Sequence, residues 1–428
     1  MAAHANLAIR GGRVVDPAAS HDGIADLFIA EGRIAGIGVA PPGFTAQGEI
    51  DARGLVVAPG LVDLCARMRE PGAEGALRVE MRAALAGGVT GLACPPDTDP
   101  PLDEPGLVRM LRQRSREAAG ARLYPLGALT AGLAGEALAE MHTLAQVGCV
   151  AFCQTGSLPA NHGTLLQAMR YARTFDLAIW LHPVDDTLVG DGVAGDGPTA
   201  SRLGLPGIPV AAETVALHAI FELQRATGVR VHLCRLSSAQ GVALLRAAKR
   251  DGLRVTADVS IHHVHLIDRS IGHYDTHCRL DPPLRAEADR AAIRAALADG
   301  TIDAICSDHA PVSIDDKLLP FGEAKPGASG LETLLPLTLQ WARAEHIDLK
   351  RALALVTSAP ARVLGEDTGT LQPGRKADVV VFDPERSWVA QADTLVSSGK
   401  NTPFAGKALR GRARWTLVGG EVRYEDGA

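Results

Sequence analysis

A chain of 428 residues is too long for one minimal domain and suits one large α/β unit of roughly 250–300 residues with a smaller accessory domain. Hydrophobic residues at 46% and charged residues at 21% give an ordinary globular balance, which excludes long disordered tails. The net charge of −6, with signs interspersed and only 4% aromatic residues, leaves no basic stripe with stacking aromatics, so nucleic acid is not an expected partner.

Residues 1–17 carry Arg10 and Arg13 inside their only apolar stretch, unlike the uninterrupted core of a signal peptide. Residues 6–57 then read as short strands broken by glycine. From residue 56 onward, apolar runs rich in Val, Ile and Leu recur at 56–64, 90–94, 123–128, 148–153, 178–182, 230–236, 254–259 and 302–308, separated by Ala/Leu/Arg-rich helical stretches. Eight alternating units close most naturally into a (β/α)8 TIM-type barrel, with active residues at strand C-terminal ends. Residues 368–428 return to glycine-broken strands. Neither end could bury enough surface alone, so residues 1–57 and 368–428 are predicted to pair into one small β-sandwich domain beside a barrel of residues 58–367.

No run approaches the roughly 18 apolar residues of a membrane span. Seven cysteines, an odd number without a C-x-x-C pair, read as reduced thiols. A cytoplasmic protein with no membrane partner is expected.

Three features invite a chemical reading. Asp308-His309 follows an apolar run, where a carboxylate serves as ligand or base, or else as a helix cap or turn. His182 ends another run, a setting that more often holds a hydrogen-bonded core histidine than a ligand. His262, His263 and His265, with His273 and His277 nearby, superficially suggest a metal site. Adjacent residues cannot share a strand face, however, and no acidic or cysteine partner lies at a familiar spacing, so they read as loop and barrel-rim histidines.

The segment 58–72, APGLVDLCARMREPG, resembles the signature of the dihydroorotases of the amidohydrolase superfamily. So do LGLPGIP at 203–209 with Glu213, DPPLR at 281–285, CSDHAP at 306–311, PGASGLET at 326–333 and KNTPF at 400–404. These motifs are collinear with the family over nearly the whole chain. The resemblance implies the reversible cyclisation of N-carbamoyl-aspartate to dihydroorotate, driven by zinc that ionises a bridging water and polarises the carbonyl.

Here the implied ligand set is incomplete. The family's His-x-His pair falls on Cys65 and Arg67, its bridging acid on Gln154, and a later histidine on Arg235, while His182 and Asp308 match. Zinc usually takes at least three protein ligands, and arginine stays protonated. No metal cofactor is therefore expected, and Asp308 would be a vestigial catalytic residue. Arg67 and Arg235 are predicted to enter the mouth and supply the positive charge that Asp308 would lack without metal. In the substrate pocket, Arg69 matches the family's carboxylate clamp. Asp97 and Asp281 stand where asparagines are expected and Val312 where a histidine is expected, and the two carboxylates would oppose a dianionic substrate.

The leading expectation is a non-catalytic, pseudo-dihydroorotase member of the family. The resemblance implies a structural partnership with the catalytic chain of aspartate carbamoyltransferase, in a homo- or hetero-oligomer. One alternative is an active dihydroorotase with a single zinc on Cys65, His182 and Asp308. Another is a hydrolase of a different cyclic amide, with Cys65 or Cys153 as nucleophile.

Overall fold

The computed structural model describes residues 6–70, 72 and 75–427. Residues 1–5 of the N-terminal segment, Pro71 of the signature at 58–72 and the final residue lie outside the described residues.

The eight apolar runs form parallel strands Leu61–Asp63, Val89–Cys94, Arg122–Ala128, Ala151–Gln154, Ala178–Leu181, Arg230–Leu233, Val255–Ser260 and Ala304–Cys306, in one sheet that follows chain order. Helices such as Ala76–Ala86, His162–Thr174, Ala211–Thr227 and Glu287–Asp299 alternate with them. Covered on one side by helices and filled on the other by side chains, most strands are buried throughout, which is why they read as continuous apolar runs. Val62, Leu126, Trp180 and Ala304 pack with Cys65, Cys153 and Cys306 in one buried cluster. The last and first strands share no ladder. They are joined just beyond their ends, where Ala66 and His309 form a parallel bridge. There the His309 N–H donates to the Cys65 carbonyl and the Arg67 N–H to the His309 carbonyl.

The run at 56–64 divides at Gly60. Val56–Pro59 joins the accessory sheet and Leu61–Asp63 opens the barrel. A Cβ at Gly60 would lie 2.1 Å from Thr90 Oγ1, so the crossing needs glycine. Gly330 is tighter in kind, because a Cβ there would lie 2.1 Å from the Ser307 carbonyl oxygen, a backbone atom beside the site. Gly330→Ala should therefore cost about 3 kcal/mol in urea denaturation. Gly322→Ala, where a Cβ meets nothing within 4 Å, should leave stability unchanged.

The chain ends form one eight-stranded sheet. Val379–Val389 pairs antiparallel with Val56–Pro59 and so links the C-terminal strands to those of the N-terminal segment. The sheet folds over its own core of Ile9, Val14, Ile29, Val57, Val379 and Leu417. The whole is a TIM barrel with a separate β-rich domain. Among the described residues, no helix is long and apolar enough to cross a membrane.

Candidate functional site at the barrel mouth

Strand C-terminal ends bring Cys65, Arg67, His182, Arg235, Asp281 and Asp308 together. Asp308 and Arg235 both adopt left-handed backbone, with φ of 49° and 58°. Such a conformation costs a non-glycine residue roughly 1–2 kcal/mol, and both side chains end in the mouth. Asp308 Oδ1 faces Arg235 Nη1 at 3.3 Å, Arg67 Nη1 at 3.9 Å and Cys65 Sγ at 3.8 Å. Burial would raise the Asp308 carboxyl, but Arg235 and then Arg67 outweigh it and hold it below the usual carboxylate range. The side chains of Arg235 and Arg67 are only 4% and 16% exposed, so neither turns to solvent.

The arginines are themselves tied down. Arg235 Nη1 also donates to the Asp281 carbonyl at 2.8 Å. Arg67 Nε donates to Asp97 Oδ2 at 2.7 Å. Asp97 is therefore not the free repulsive charge that its position suggests in the sequence, but the counter-ion of Arg67. Asp281 Oδ1 lies 3.6 Å from His182 Nε2. Asp281 is 48% exposed at the rim of the mouth, and although desolvation there opposes the charge, His182 and the two arginines draw its carboxyl below the usual range.

The six ligand positions do not fit a zinc site of the family type. Gln154 spends its amide on the neighbouring loop, accepting from Thr130 Oγ1 at 2.8 Å and donating to the Leu133 carbonyl at 2.7 Å. Arg67 and Arg235 occupy the approaches to Asp308 with fixed positive charge. His182 alone keeps a ligand's arrangement, with Nδ1 bonded to the Cys234 carbonyl at 3.1 Å and Nε2 buried without a hydrogen bond. Cys65 and Cys153 make poor nucleophiles. Burial pushes both thiols up, Cys153 to about 12 and Cys65 well above its ordinary range despite the adjacent arginines. Arg69, the substrate-clamp position, gives Nε and Nη2 to the Pro311 carbonyl.

Behind the mouth lies a polar network that the sequence did not signal. Gly330 N–H donates to His309 Nδ1, so His309 Nε2 carries its proton toward Glu80 Oε2 at 3.0 Å. Burial opposes the Glu80 carboxylate, but His309 and Ser398 hold its pKa at about 2. A carboxyl lowered in the folded state adds stability above its unfolded pKa of about 4.3, and that stability is lost as pH falls through the folded value. Glu80→Gln should flatten the decline in urea stability between about pH 5 and pH 2. An unchanged slope would contradict the pairing.

The histidine run needs correction. His262, His263 and His265 do not stand in loops but in the short helix Ile261–His265, directly after the seventh barrel strand, with His262 and His263 fully enclosed. The strand-face argument therefore does not apply to them. Burial lowers all three, His262 to about 4 and His265 to about 3. One group of three metal-capable side chains does meet among the described residues, namely His232, Cys234 and Asp258. His232 Nε2 is bonded to Asp258 Oδ2 at 3.0 Å, and Asp258 Oδ1 accepts the Arg235 N–H at 2.7 Å. The carboxylate thus fixes the backbone from which Arg235 projects.

Solved hydantoinases share this architecture. L-hydantoinase (dihydropyrimidinase) from Arthrobacter aurescens superposes with a TM-score of 0.87, covering 99% of this chain and 97% of that one at 23% identity. D-hydantoinase (dihydropyrimidinase) from Thermus sp. gives 0.82, covering 99% and 96% at 21% identity. That likeness defines the class by fold alone, a barrel with a β-rich domain. A dihydro-orotase-like family model matches residues 54–241, and an amidohydrolase family model matches residues 199–424. The chain is 45% identical to a dihydroorotase-like protein of Pseudomonas aeruginosa over 98% of this chain and 99% of that one. It is 46% identical to a dihydroorotase-like protein of Pseudomonas putida, over 97% and 98%. It is also 43% identical to a dihydroorotase of Syntrophotalea carbinolica, again over 97% and 98%. This chain belongs to the dihydroorotase family of the amidohydrolase superfamily.

Proposed function

We propose that this dihydroorotase-like protein is non-catalytic and serves as a structural partner of aspartate carbamoyltransferase. The observation that supports inactivity is the convergence of Arg235 and Arg67 on Asp308 Oδ1, at 3.3 and 3.9 Å, where the family's reaction calls for metal. Without an ionised water, a cyclic amide at the mouth meets no nucleophile, since the thiols there are held protonated. The transferase partnership rests on the family resemblance.

Metal analysis of the purified chain with a dihydroorotate ring-opening assay tests inactivity. The expected result is no zinc retained after dialysis and no turnover above the uncatalysed rate. Stoichiometric zinc with enzymatic ring opening would overturn the reading. Co-expression with the transferase catalytic chain tests the partnership. A single complex is expected on gel filtration, and separate elution overturns that part alone.

A second reading, an active single-metal dihydroorotase, draws on His182 Nε2, which is buried without a hydrogen bond and has only Asp281 Oδ1 at 3.6 Å, and on a relative 43% identical and named dihydroorotase. The same metal analysis separates it from the first.

A further inference from the structure

At the end of the barrel opposite the mouth, a cleft of about 800 Å3 opens between the strand N-termini and the β-rich domain. Arg112, Arg116, Arg122, Arg230, Lys376 and Arg423 line it, against the single acidic lining residue Glu366. Two of these cations are balanced at close range, Arg122 by Asp378 at 2.8 Å and Arg423 by Glu421 at 2.5 Å. Arg230 is 3.6 Å from Asp176. Arg112, Arg116 and Lys376 have no ion pair among the described residues. In a chain of net charge −6, this clustering runs against the overall balance.

Two further observations point to a ligand. Tyr124, which lines the cleft, is 8% exposed and its buried hydroxyl has no hydrogen-bond partner. Arg230 Nε is likewise buried and unpartnered. Arg112 Nη1 donates to the Val147 carbonyl at 2.7 Å and Arg230 Nη2 to the Asp176 carbonyl at 2.5 Å, which leaves the remaining N–H groups of both, with Arg116 and Lys376, beside the two unsatisfied buried donors on a surface short of acceptors. The walls are also partly apolar, through Leu123, Val150 and Val418. A concave basic site focuses potential onto an anion that enters it.

We infer that this cleft binds a small, multiply charged phosphate compound with an organic body, the class to which nucleoside polyphosphates belong. The inference is independent of whether the mouth is catalytic, because the six cations belong to strand starts, the helix Pro105–Glu117 and the β-rich domain rather than to the mouth.

Isothermal titration of the full chain with inorganic tripolyphosphate and with ATP, without added divalent metal, tests it. Saturable binding is expected, weakened at least about tenfold by Arg116→Glu with Lys376→Glu. The same charge change at two exposed positions away from the cleft, Arg202→Glu with Lys407→Glu, should leave binding intact. Tighter binding of ATP than of tripolyphosphate supports contact between the organic body and the apolar walls. Equal affinity for both reduces the site to a phosphate reader and overturns the part of the inference that concerns the organic body. Binding unchanged by Arg116→Glu with Lys376→Glu, or no binding of either probe below millimolar concentration, overturns the inference. So does binding of polyglutamate where both phosphates fail, which would reassign the cleft to an acidic protein partner.

Discussion

Arg235→Met is expected to destabilise the fold by about 3–5 kcal/mol, the range for removing one member of a buried ion pair. Its guanidinium is 4% exposed and approaches Asp308 to 3.3 Å, while also holding the Asp281 carbonyl. Once it is gone, Asp308 retains the weak Cys65 thiol contact at 3.8 Å and a single guanidinium, Arg67 Nη1 at 3.9 Å, whose Nε is already committed to Asp97. The carboxylate would then be buried without its nearer cation. Asp308→Asn in the Arg235→Met background should return much of the loss, because the charge that needed a partner is removed. A double-mutant cycle by urea denaturation should give a coupling of at least about 1.5 kcal/mol, as for contacting residues that share a network. Additive losses would mean that the two groups do not depend on each other. The wild-type curve should be unaffected by a strong chelator, whereas a chelator-sensitive midpoint would show that metal, not guanidinium, holds Asp308.

Restoring the family ligands should have the opposite consequence. Cys65→His, Arg67→His, Gln154→Asp and Arg235→His together remove both fixed cations and supply four donors to join His182 and Asp308. Ligand sets of this size hold zinc with roughly 10 kcal/mol or more at neutral pH. The fourfold variant is therefore expected to retain near-stoichiometric zinc after dialysis, where the parent retains none. Arg235→His alone should not, because Arg67 still faces Asp308. Metal retained equally by parent and variant would refute the electrostatic exclusion. Asp97, left without Arg67, should make the variant less stable before metal is added.

Much of this was legible in the chain. The eight strands announce themselves because a sheet covered on both faces needs unbroken apolar runs, and all eight lie where those runs fall. The break at Gly60 was hidden, since Val56–Pro59 and Leu61–Asp63 are equally apolar and only the proximity of Thr90 separates their roles. Site positions were legible through the collinear motifs, including the inward turn of Arg67 and Arg235. Their partners were not. That Asp97 neutralises Arg67, or that Pro311 takes two donors of Arg69, depends on loops folded against each other across long stretches of sequence. His262 to His265 misled because a five-residue helix is too short to show a period. The basic cleft drew no attention because its six cations are scattered from Arg112 to Arg423, with no local run of charge.

The barrel resembles a hoop whose two free ends meet at Cys65, Arg67 and His309, through a few backbone bonds instead of a full ladder. Arg67 Nη1 and Asp308 Oδ1, carried just past those two ends, face each other at 3.9 Å across that same gap, so the mouth of the barrel doubles as the clasp of the hoop. A carboxylate buried at such a place needs a positive neighbour. The guanidinium of Arg67 fastens the circumference where it is least supported.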